Sequence, residues 1–518
     1  MIPFELRTLV KINIYLCDCM RLKSLIAKPY ADFIVRNIKK NATLAVSHQQ
    51  ALLTTLMNEA ANTAFGKTHR FNEVSNHQQF TEAVPIRDYE ALKPYIEKIK
   101  LGEENILWQG KPKYFAKTSG TTSGVKYIPI SDVSIKEHIN AARNALLCYI
   151  SETGQSQFVN GKMIFLSGSP ALDHINGIHT GRLSGIVNHH VPAYLTKNRL
   201  PSYETNCIED WETKLDAIVQ ETIQQDMTLI SGIPPWMQMY FDRLTEKSGK
   251  KIADLFPHFS LLVHGGVAFE PYKAKLFESI GRRIPSIETF PASEGFFAFQ
   301  DTQTEEGLLL NTQAGMYFEF VPAQEMFNEN PTRLSLADVA LHTNYALIVS
   351  SNAGLWGYNI GDTIKFVSLQ PYRIVVTGRI KHFISAFGEH VIAEEVEQAL
   401  LKTADKYQLR ITEFTVAPFI SSDDSPSYHE WFVEFENEPA HLESFASEVD
   451  QALCEKNIYY DDLVRGRILA PLKMNALHKN AFIHYMKSIG KLGGQNKVPR
   501  LSNDRKIAEE LSKYTIPM

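Results

Sequence analysis

The chain of 518 residues lacks the features that mark several common classes of protein. It has no excess of positive charge, since the formal net charge is −5, and we therefore expect no nucleic-acid partner. Its five cysteines are scattered, odd in number and without metal-type spacing, which favours a reducing compartment over a disulfide framework. The apolar N-terminal segment 9–16 is too short and too charged to span a membrane, and it lacks a signal-peptide layout. We expect a cytoplasmic protein without a membrane partner.

Two motifs of well-known enzymes are also missing. Three residues separate Gly120 from Gly124, and Val125 precedes Lys126, whereas a P-loop has four residues between its glycines and then Gly-Lys. The chain has no Gly-x-Ser-x-Gly elbow either. These absences exclude a P-loop nucleotide site and disfavour a serine hydrolase.

The composition is that of a globular protein, with 44% hydrophobic and 21% charged residues. The length exceeds one ordinary core, so we expect two or more domains. Strand and helix patterns alternate between residues 134 and 263, which predicts an α/β domain with helices packed over a sheet. Residues 308–320 and 345–376 are richer in alternating, β-branched and aromatic positions, which predicts antiparallel sheet. After Arg379, the patterns predict a small α+β domain of about 130 residues.

Several element boundaries follow from local signals. Apolar spacing predicts a helix over residues 51–65, and we expect Gly66 to end it. Asp88 is a candidate N-cap for the next helix. Further helices are predicted over residues 134–150 and 210–225, and buried strands over residues 161–168, 227–232 and 261–263.

The most informative stretch is the segment Thr118–Lys126, a run of Ser, Thr and Gly that ends in Val-Lys between two apolar strands. Glycines let the backbone approach a ligand closely, and successive N–H groups in such a turn form a nest for anions. The hydroxyl groups add donors and Lys126 adds a positive charge, so a di- or triphosphate fits this turn. The alternative interpretation is a Ser- and Thr-rich surface loop.

Three further turns carry candidate binding residues, and each has a structural alternative. Residues 264–268, His-Gly-Gly-Val-Ala, suit a backbone that lies against a flat ring or a phosphate, or a tight strand-to-helix turn. Glu294, in the polar turn of residues 288–295, suits Mg²⁺, a cation that prefers oxygen ligands, or is a solvated turn residue. Asp362 after Gly361 suits the hydroxyls of a ribose, or the ordinary chemistry of a Gly-Asp turn.

Two glycine-flanked basic segments complete the set. Residues 378–389 join the two predicted domains and are either a hinge or an ordinary linker. Lys497, in the segment 493–500, can swing onto a developing phosphate charge, or is a solvated lysine.

Together these pieces resemble the Gretchen Hagen (auxin-responsive promoter) family of acyl-acid amido synthetases, in the adenylate-forming superfamily of acyl-CoA synthetases and luciferases. Three family motifs are matched in order, at Thr118–Lys126, at residues 290–294 (Phe-Pro-Ala-Ser-Glu) and at residues 358–362 (Tyr-Asn-Ile-Gly-Asp). The resemblance extends from about residue 85 to residue 500 and implies a bacterial-type member.

The resemblance also implies the superfamily fold. Residues 1–380 would form a large N-terminal α/β domain, with sheets flanked by helices, that binds nucleotide and acyl group. Residues 381–518 would form a small, mobile C-terminal α+β domain.

The resemblance further implies a role for each matched residue. The residues implied to bind ATP are Thr118, Ser119, Gly120, Thr121, Thr122, Ser123, Gly124, Lys126, Gly265, Gly266, Val267, Ala268, Pro291, Ala292, Ser293, Asp362 and Arg379. Within this set, residues 119–126 hold the phosphates, residues 265–268 lie along the adenine and Asp362 binds the ribose. Glu294 is implied to bind Mg²⁺ and to act in catalysis, and Lys497 is implied to be the catalytic lysine of the mobile domain.

The chain departs from the family pattern at two places. Residues 290–292 are Phe-Pro-Ala, where plant members have an aromatic residue, often Tyr, and two small residues. Lys381 stands where many adenylate-forming enzymes have a hinge Asp, which concerns the position of the hinge and not the chemistry. For the acyl pocket we predict Ile233, Trp236 and Met237 as one wall, with plain core as the alternative for so apolar a segment.

The implied reaction begins with ATP-dependent adenylation of a carboxylic acid and release of pyrophosphate, with Mg²⁺ and Lys497 offsetting charge. The acyl group then passes to an amine, by the resemblance that of an amino acid, and AMP leaves. The nearest alternative is an acyl-CoA ligase, which shares the first step and differs in the acceptor. A non-catalytic nucleotide-binding module is the second alternative, which the presence of Glu294, Asp362 and Lys497 disfavours. The acid, the amine and the oligomeric state stay open at this point.

Overall fold

The computed structural model describes most of the chain. The described residues are 26–121, 124–191, 197–266, 269–323, 325–326, 328–380, 383–384, 386–389, 391–421, 425–437, 439–489, 498, 500–502 and 504–516. They divide into two compact units, of which the first holds residues up to Lys117, Tyr127–Glu209 and Thr213–Thr377, and the second holds Thr118–Lys126, Asp210–Glu212 and the residues from Gly378 onward. The functional division into residues 1–380 and 381–518 stays a prediction.

Helices occur in both units. The α-helices lie at residues 26–42 (α1), Ala45–Ala60 (α2), Ala64–Thr68 (α3), His77–Ala83 (α4), Tyr89–Lys100 (α5), Asp132–Thr153 (α6), Leu183–Asn188 (α7), Tyr203–Asn206 (α8), Trp211–Thr222 (α9), Pro234–Ser248 (α10), Ile252–Leu255 (α11), Glu270–Ile280 (α12), Ala393–Lys406 (α13), Leu442–Lys456 (α14), Ile458–Arg465 (α15), Ala481–Ser488 (α16) and Lys506–Leu511 (α17). Short 3₁₀ turns lie at Phe71–Glu73, Gln157–Asn160 and Ser512–Tyr514. None of the helices in the described part of the chain has the length and hydrophobicity that a membrane crossing requires.

Strands likewise occur in both units. They lie at Tyr114–Thr121 (β1), Gly124–Ile130 (β2), Lys162–Phe165 (β3), Asp173–Ile175 (β4), Ile178–Gly181 (β5), Arg199–Leu200 (β6), Met227–Gly232 (β7), Leu261–Gly265 (β8), Ser286–Ala292 (β9), Gly295–Phe299 (β10), Leu308–Leu310 (β11), Met316–Pro322 (β12), Asn344–Ser351 (β13), Tyr358–Leu369 (β14), Tyr372–Arg379 (β15), Phe383–Ile384 (β16), Val391–Ile392 (β17), Ile411–Phe419 (β18), Tyr428–Phe435 (β19) and Lys473–Leu477 (β20).

Local signals explain where several helices begin and end. The Asp88 side chain accepts a hydrogen bond from the Ala91 N–H at 3.1 Å, which confirms the predicted N-cap of α5. Helix α6 opens on a reciprocal pair of hydrogen bonds between Ser131 and Ser134 and ends at Gly154, whose φ of 70° is left-handed. Because of these caps, α6 is longer at both ends than the predicted 134–150.

The prediction that Gly66 ends a helix over residues 51–65 is wrong. Helix α2 ends at Ala60, and Gly66 lies inside α3, where its N–H donates to the Thr63 hydroxyl at 2.9 Å. A Cβ on Gly66 would lie 2.1 Å from the Ala60 carbonyl oxygen. The glycine therefore permits a close contact between two helices and does not terminate one.

The first unit is built on a mixed sheet with the strand order β12-β13-β14-β15-β11-β10-β9-β8-β7-β3-β6. Strands β6, β3, β7, β8 and β9 pair in parallel. The pairs β9–β10, β10–β11, β11–β15, β13–β14 and β12–β13 are antiparallel. Both predictions, an α/β region followed by antiparallel sheet, are confirmed, and β7 matches the predicted strand 227–232 residue for residue. A smaller sheet of order β2-β1-β5-β4 carries the predicted phosphate turn.

The second unit contains a three-stranded sheet of order β18-β19-β20 together with helices α13 to α17. Strands β18 and β19 are antiparallel, and β19 and β20 are parallel. A fully buried pair, His429 Nε2 and Glu389 Oε1 at 2.8 Å, joins β19 to the segment before β17, and the Phe387 N–H donates to the other Glu389 oxygen at 2.8 Å. This is the predicted small α+β fold.

Candidate functional site

The predicted phosphate loop is the turn between β1 and β2. Ser119, Gly120 and Thr121 complete β1, Gly124 opens β2, and Lys126 is a half-buried residue of β2; Thr122 and Ser123 lie outside the described residues. The polar turn between two apolar strands is therefore where the sequence predicts it, while the role in phosphate binding stays a prediction.

The strands that carry this turn are held at their base by three kinds of contact. Strand β1 pairs in parallel with β5 from Tyr114 to Ala116. The Tyr127 N–H donates to the Tyr89 hydroxyl at 2.8 Å, and burial raises the pKa of Tyr89 to about 12, so the hydroxyl stays neutral. Lys117 forms an ion pair with Asp173.

The parallel strands β7, β8 and β9 end at one edge of the large sheet, because their carboxyl ends point the same way. This edge brings together predicted residues from three separate stretches of sequence. Ile233 follows β7, Gly265 ends β8 with Gly266 just after it, and the Ser293–Glu294 turn follows β9. In open α/β sheets, ligands bind outside this edge.

The two glycines at the end of β8 serve the sheet itself. Gly265 pairs with Thr289 on β9, and a Cβ on Gly265 would lie 2.3 Å from the Thr289 carbonyl oxygen. Gly266 has a φ of 81°, which favours glycine. The conformation is therefore required by strand packing, and the predicted contact with adenine is not needed to explain it. Val267 and Ala268 lie outside the described residues.

His264, just before these glycines, is buried and stacked on Phe269, with ring centroids 3.9 Å apart and planes 12° apart. Burial lowers the pKa of His264 to about 4, so the imidazole is neutral at physiological pH. Its Nδ1 has no hydrogen-bond partner within the described residues. The stacking ties the end of β8 to Phe269.

Glu294 lies on a tight turn between β9 and β10. Pro291 and Ala292 end β9, Gly295 begins β10, and Ala292 pairs with Gly295, so Ser293 and Glu294 form the two-residue tip. A Cβ on Gly295 would lie 2.0 Å from the Met316 sulfur. The tip is therefore fixed from both sides, and the partly exposed Glu294 carboxylate stands at the carboxyl edge of the sheet.

Asp362 is not in a turn, as the Gly-Asp pair suggested, but inside β14, where it is 6% exposed. Strand β13 pairs Ala346 with Thr363 and Ile348 with Asn359, so four residue steps on β14 span two on β13. The extra residues form a bulge around Gly361, whose φ is 88°. Three strands separate β14 from β9 in the sheet order, so the pairing alone does not bring Asp362 beside Glu294.

The remaining predicted residues differ in what the structure says of them. Arg379 is the last residue of β15, and Lys497 lies outside the described residues. In the predicted acyl wall, Met237 is fully buried, which agrees with the core alternative, whereas Ile233 and Trp236 are partly exposed. The acyl pocket stays a prediction.

Sequence reasoning missed a small cavity beside the Glu294 tip. It lies between α6, the β9–β10 turn and the end of β13, and its lining includes Glu137, His138, Glu294, Phe296, Met316 and Asn352. Burial raises the pKa of Glu137. Apart from Glu294, no local signal marks these residues, because they come from distant stretches of the chain and Glu137 has the spacing of an ordinary surface charge on a helix.

Comparison with known families matches three models that together span most of the chain. They are described as the GH3 family N-terminal domain, matched by residues 34–285, the GH3 family central domain, matched by residues 309–379, and the GH3 family C-terminal domain, matched by residues 394–506.

Similar proteins are named as amide-forming synthetases. Jasmonoyl–L-amino acid synthetase JAR4 of Nicotiana attenuata is 21% identical over 61% of this chain and 66% of its own length. Indole-3-acetic acid-amido synthetase GH3.3 of Arabidopsis thaliana is 21% identical over 90% of this chain and 91% of its own length.

Two solved structures share the fold. GH3.15 acyl acid amido synthetase superposes with a TM-score of 0.58 at 15% identity, covering 93% of this chain and 96% of that one. A 2-hydroxyisobutyryl-CoA ligase, in complex with 2-HIB-AMP and CoA, superposes with a TM-score of 0.57 at 13% identity, covering 90% and 91%. Both predictions of fold, a large α/β part and a smaller C-terminal part, are confirmed.

Proposed function

Because this chain belongs to the GH3 family, we propose that it joins a carboxylic acid to the amine of an amino acid in an ATP-dependent, AMP-forming reaction. The family resemblance seen in the three ordered motifs agrees with all three family models. The proteins named as jasmonoyl–amino acid and indole-3-acetic acid-amido synthetases support the same class of ligase.

The observation that carries the proposal is the carboxyl edge of β7, β8 and β9. There the glycine turn at Gly265–Gly266 lies one strand away from the Ser293–Glu294 tip. The glycine backbone at Gly265–Gly266 has no side chain in the way of a nucleotide ring, and the Glu294 carboxylate nearby suits a metal bound to the phosphates.

The chemistry has two steps. A carboxylate oxygen attacks the α-phosphorus of ATP, the bond from that phosphorus to the β-bridging oxygen breaks, and pyrophosphate leaves. The ammonium group of the amino acid loses one proton to solvent, and the resulting amine nitrogen attacks the acyl carbon. The bond from that carbon to the AMP oxygen then breaks, and a second proton passes to solvent. The first step converts a poor electrophile, whose leaving group would be oxide, into a good one.

Magnesium fits the residue at the tip. Mg²⁺ keeps several waters and is usually bound by one or two carboxylates plus substrate phosphates. The partly exposed Glu294 carboxylate supplies such a ligand, and the bound metal would add positive charge near the phosphates of ATP.

Other residues of the chain would hold the nucleotide and complete the catalytic set. We assign residues 119–126 to the phosphates, residues 265–268 to the adenine, and Asp362, on its bulge, to the ribose. Lys497 would approach the reacting phosphate when the small domain rotates about the segment that begins at Arg379.

We also propose a cytoplasmic location with small-molecule partners, an acid and an amino acid. The support for the location is the scattered, odd set of five cysteines in the sequence, which favours a reducing compartment.

The direct test is ATP turnover with Mg²⁺, an acid panel and the twenty amino acids, with nucleotide products resolved. A suitable panel contains indole-3-acetic acid, jasmonic acid, 2,4-DB and 2-hydroxyisobutyric acid. We expect AMP and pyrophosphate with one acid, and amide only when an amino acid is present. ADP and phosphate would refute adenylation, and acyl transfer only to CoA would replace the proposal by an acyl-CoA ligase.

The role of Glu294 gives a sharper test. Glu294→Gln keeps the shape of the tip and removes the charge, so acid-dependent ATP–pyrophosphate exchange should fall by about 100-fold. Glu103→Gln, at an exposed carboxylate of the same unit, should leave the exchange unchanged. If Glu294→Gln exchanges at the wild-type rate and its requirement for Mg²⁺ is unchanged, Glu294 does not bind the metal and is not part of the site.

A further inference from the structure

The cavity beside the Glu294 tip has the size of one small polar group. The space in which the centre of a water-sized group can lie has a volume of about 10 Å³. That is room for one such group, since a single water needs about this much. Phe296 and Met316 form apolar parts of its wall.

Asn352 presents an unused acceptor in this cavity. Its side chain is 8% exposed, and its Oδ1 has no hydrogen-bond partner within the described residues. Its backbone N–H donates to the Gly315 carbonyl at 2.9 Å, and a Cβ on Gly315 would lie 2.0 Å from the Asn352 Nδ2. That Cβ would lie 3.0 Å from the Oδ1, so the amide group as a whole is packed against Gly315. A buried acceptor without a donor is costly to keep.

The charges around the cavity are negative. Glu137 lines it together with Glu294, whose carboxylate is assigned to Mg²⁺, and among its described lining residues there is no lysine or arginine. The lining imidazole of His138 is buried and neutral, because burial lowers the pKa of His138 to about 4. Burial raises the pKa of Glu137, while a hydrogen bond from Asn140 and the charge of Arg143, both farther along α6, lower it. The Asn352 Oδ1 is therefore the acceptor that calls for a donor, and a donor that carries a positive charge would also suit the Glu137 carboxylate.

We infer that this cavity binds the primary ammonium group of the acceptor amino acid, with the Glu137 carboxylate and the Asn352 Oδ1 as its hydrogen-bond acceptors. An ammonium group has about the size of a water, one positive charge and three donors. Hydrated Mg²⁺ needs more room, because it keeps an octahedral shell with several waters. The inference rests on the proposed function, since an enzyme without an amine substrate has no use for such a site.

The first test replaces the charge and keeps the shape. In Glu137→Gln, the KM for the amino acid in amide formation should rise at least tenfold, because a charge-assisted hydrogen bond is lost. ATP–pyrophosphate exchange driven by the acid alone should stay within about threefold of wild type, because no amine takes part. The matched control Glu103→Gln should change neither quantity.

A neutral nucleophile separates binding from a general defect. Hydroxylamine is uncharged at pH 8, so Glu137→Gln should form the hydroxamate of the same acid at the wild-type rate. A variant that is merely misfolded would lose hydroxamate and amide formation together.

Moving the carboxylate gives the sharpest result. Asn352→Leu should raise the KM for the amino acid, and Asn352→Asp should not. The double variant Glu137→Gln with Asn352→Asp returns one negative charge to the cavity. Its KM for the amino acid should be at least tenfold lower than that of Glu137→Gln alone, or equal to that of the wild type where Glu137→Gln raises the KM only tenfold.

The outcomes separate a failure of the ammonium site from a failure of the proposed function. If exchange proceeds and neither Glu137→Gln nor Asn352→Leu changes the KM for the amino acid, the cavity holds at most an ordered water and the inference fails while the proposed function stands. If Glu137→Gln lowers exchange and raises the Mg²⁺ concentration that exchange requires, the cavity belongs to the metal and the inference fails. If the wild type shows no acid-dependent exchange, the proposed function fails first and the inference with it.

Discussion

Two buried polar clusters of the first unit differ in how well their atoms are satisfied. In the cluster of Glu319 and Arg333, the guanidinium donates to both carboxylate oxygens at 3.0 and 2.7 Å. It also donates to the carbonyls of Val84 and Thr81, while His77 Nε2 lies 3.2 Å from Glu319. In the cavity at Asn352, the Oδ1 instead has no hydrogen-bond partner among the residues that the structure describes. The Glu319–Arg333 cluster has the complete set of partners that a buried polar group needs for stability. The Asn352 cavity leaves room for a ligand.

The charge state of Glu319 follows from these contacts. Burial would raise the pKa of Glu319, but the charge of Arg333 and the hydrogen bonds from His77 and Arg333 hold it below its usual value. The carboxylate is therefore ionised at neutral pH and is matched by the guanidinium, so the cluster needs nothing from solution.

The largest expected effect breaks the satisfied cluster. Arg333→Met leaves a fully buried carboxylate without its charge partner, so the free energy of unfolding should fall by about 3–5 kcal/mol. Urea unfolding at pH 7 measures this change. Arg70→Met, at an exposed arginine 3.9 Å from Glu73, should change it by less than about 1 kcal/mol. Equal small losses in both variants would contradict the contrast.

A smaller effect should appear at His264, a buried histidine whose Nδ1 has no partner within the described residues. The folded state favours the neutral ring, with a pKa near 4, while the unfolded chain binds a proton below its ordinary pKa of 6.5. Stability should therefore fall as the pH drops from about 6.5 towards 4, by about 2 kcal/mol between pH 7 and pH 5.

The measurement for His264 compares denaturant midpoints of the wild type and His264→Phe at pH 7 and pH 5. The variant should lack this part of the acid sensitivity, because phenylalanine cannot titrate and can still stack on Phe269. Identical pH dependence of the two proteins would show that the ring is solvated or paired.

The smallest effect has the opposite sign to the first. Asn352→Leu removes an acceptor that no group in the described part of the chain satisfies, so unfolding should become harder by up to about 1 kcal/mol, or stay unchanged. The thermal midpoint of the variant checks this. A clear loss of stability would mean that Asn352 belongs to the same structural category as Glu319.

Much of the fold could be predicted, because its signals are local. Asp88, as a capping residue, predicts the start of helix α5, and an apolar run between turn residues predicts strand β7. The prediction at Gly66 was wrong because glycine occurs both at helix ends and where two helices approach closely, and the sequence does not distinguish the two. The placement of Asp362 in a turn was wrong too, because a bulge is defined by the partner strand and not by the strand that carries it.

The site could be predicted only where it is written as a motif. The Ser293–Glu294 tip and the Gly265–Gly266 turn are contiguous and were found, and the strand pairing then showed that they meet at one edge. Glu137 and Asn352 could not be found, because their proximity depends on the packing of α6 against β9 and β10 and on the end of β13.

The glycines at this edge also set how the protein can vary. A Cβ on Gly265 would lie 2.3 Å from the Thr289 carbonyl oxygen, which is backbone, whereas a Cβ on Gly295 would meet the flexible side chain of Met316. In a saturation-mutagenesis library sorted for expression alone, the Gly265 codon should be as depleted as in a library sorted for activity. The Ser293 and Glu294 codons should be depleted only in the second library, so the pair of selections would separate the scaffold of this edge from its chemistry.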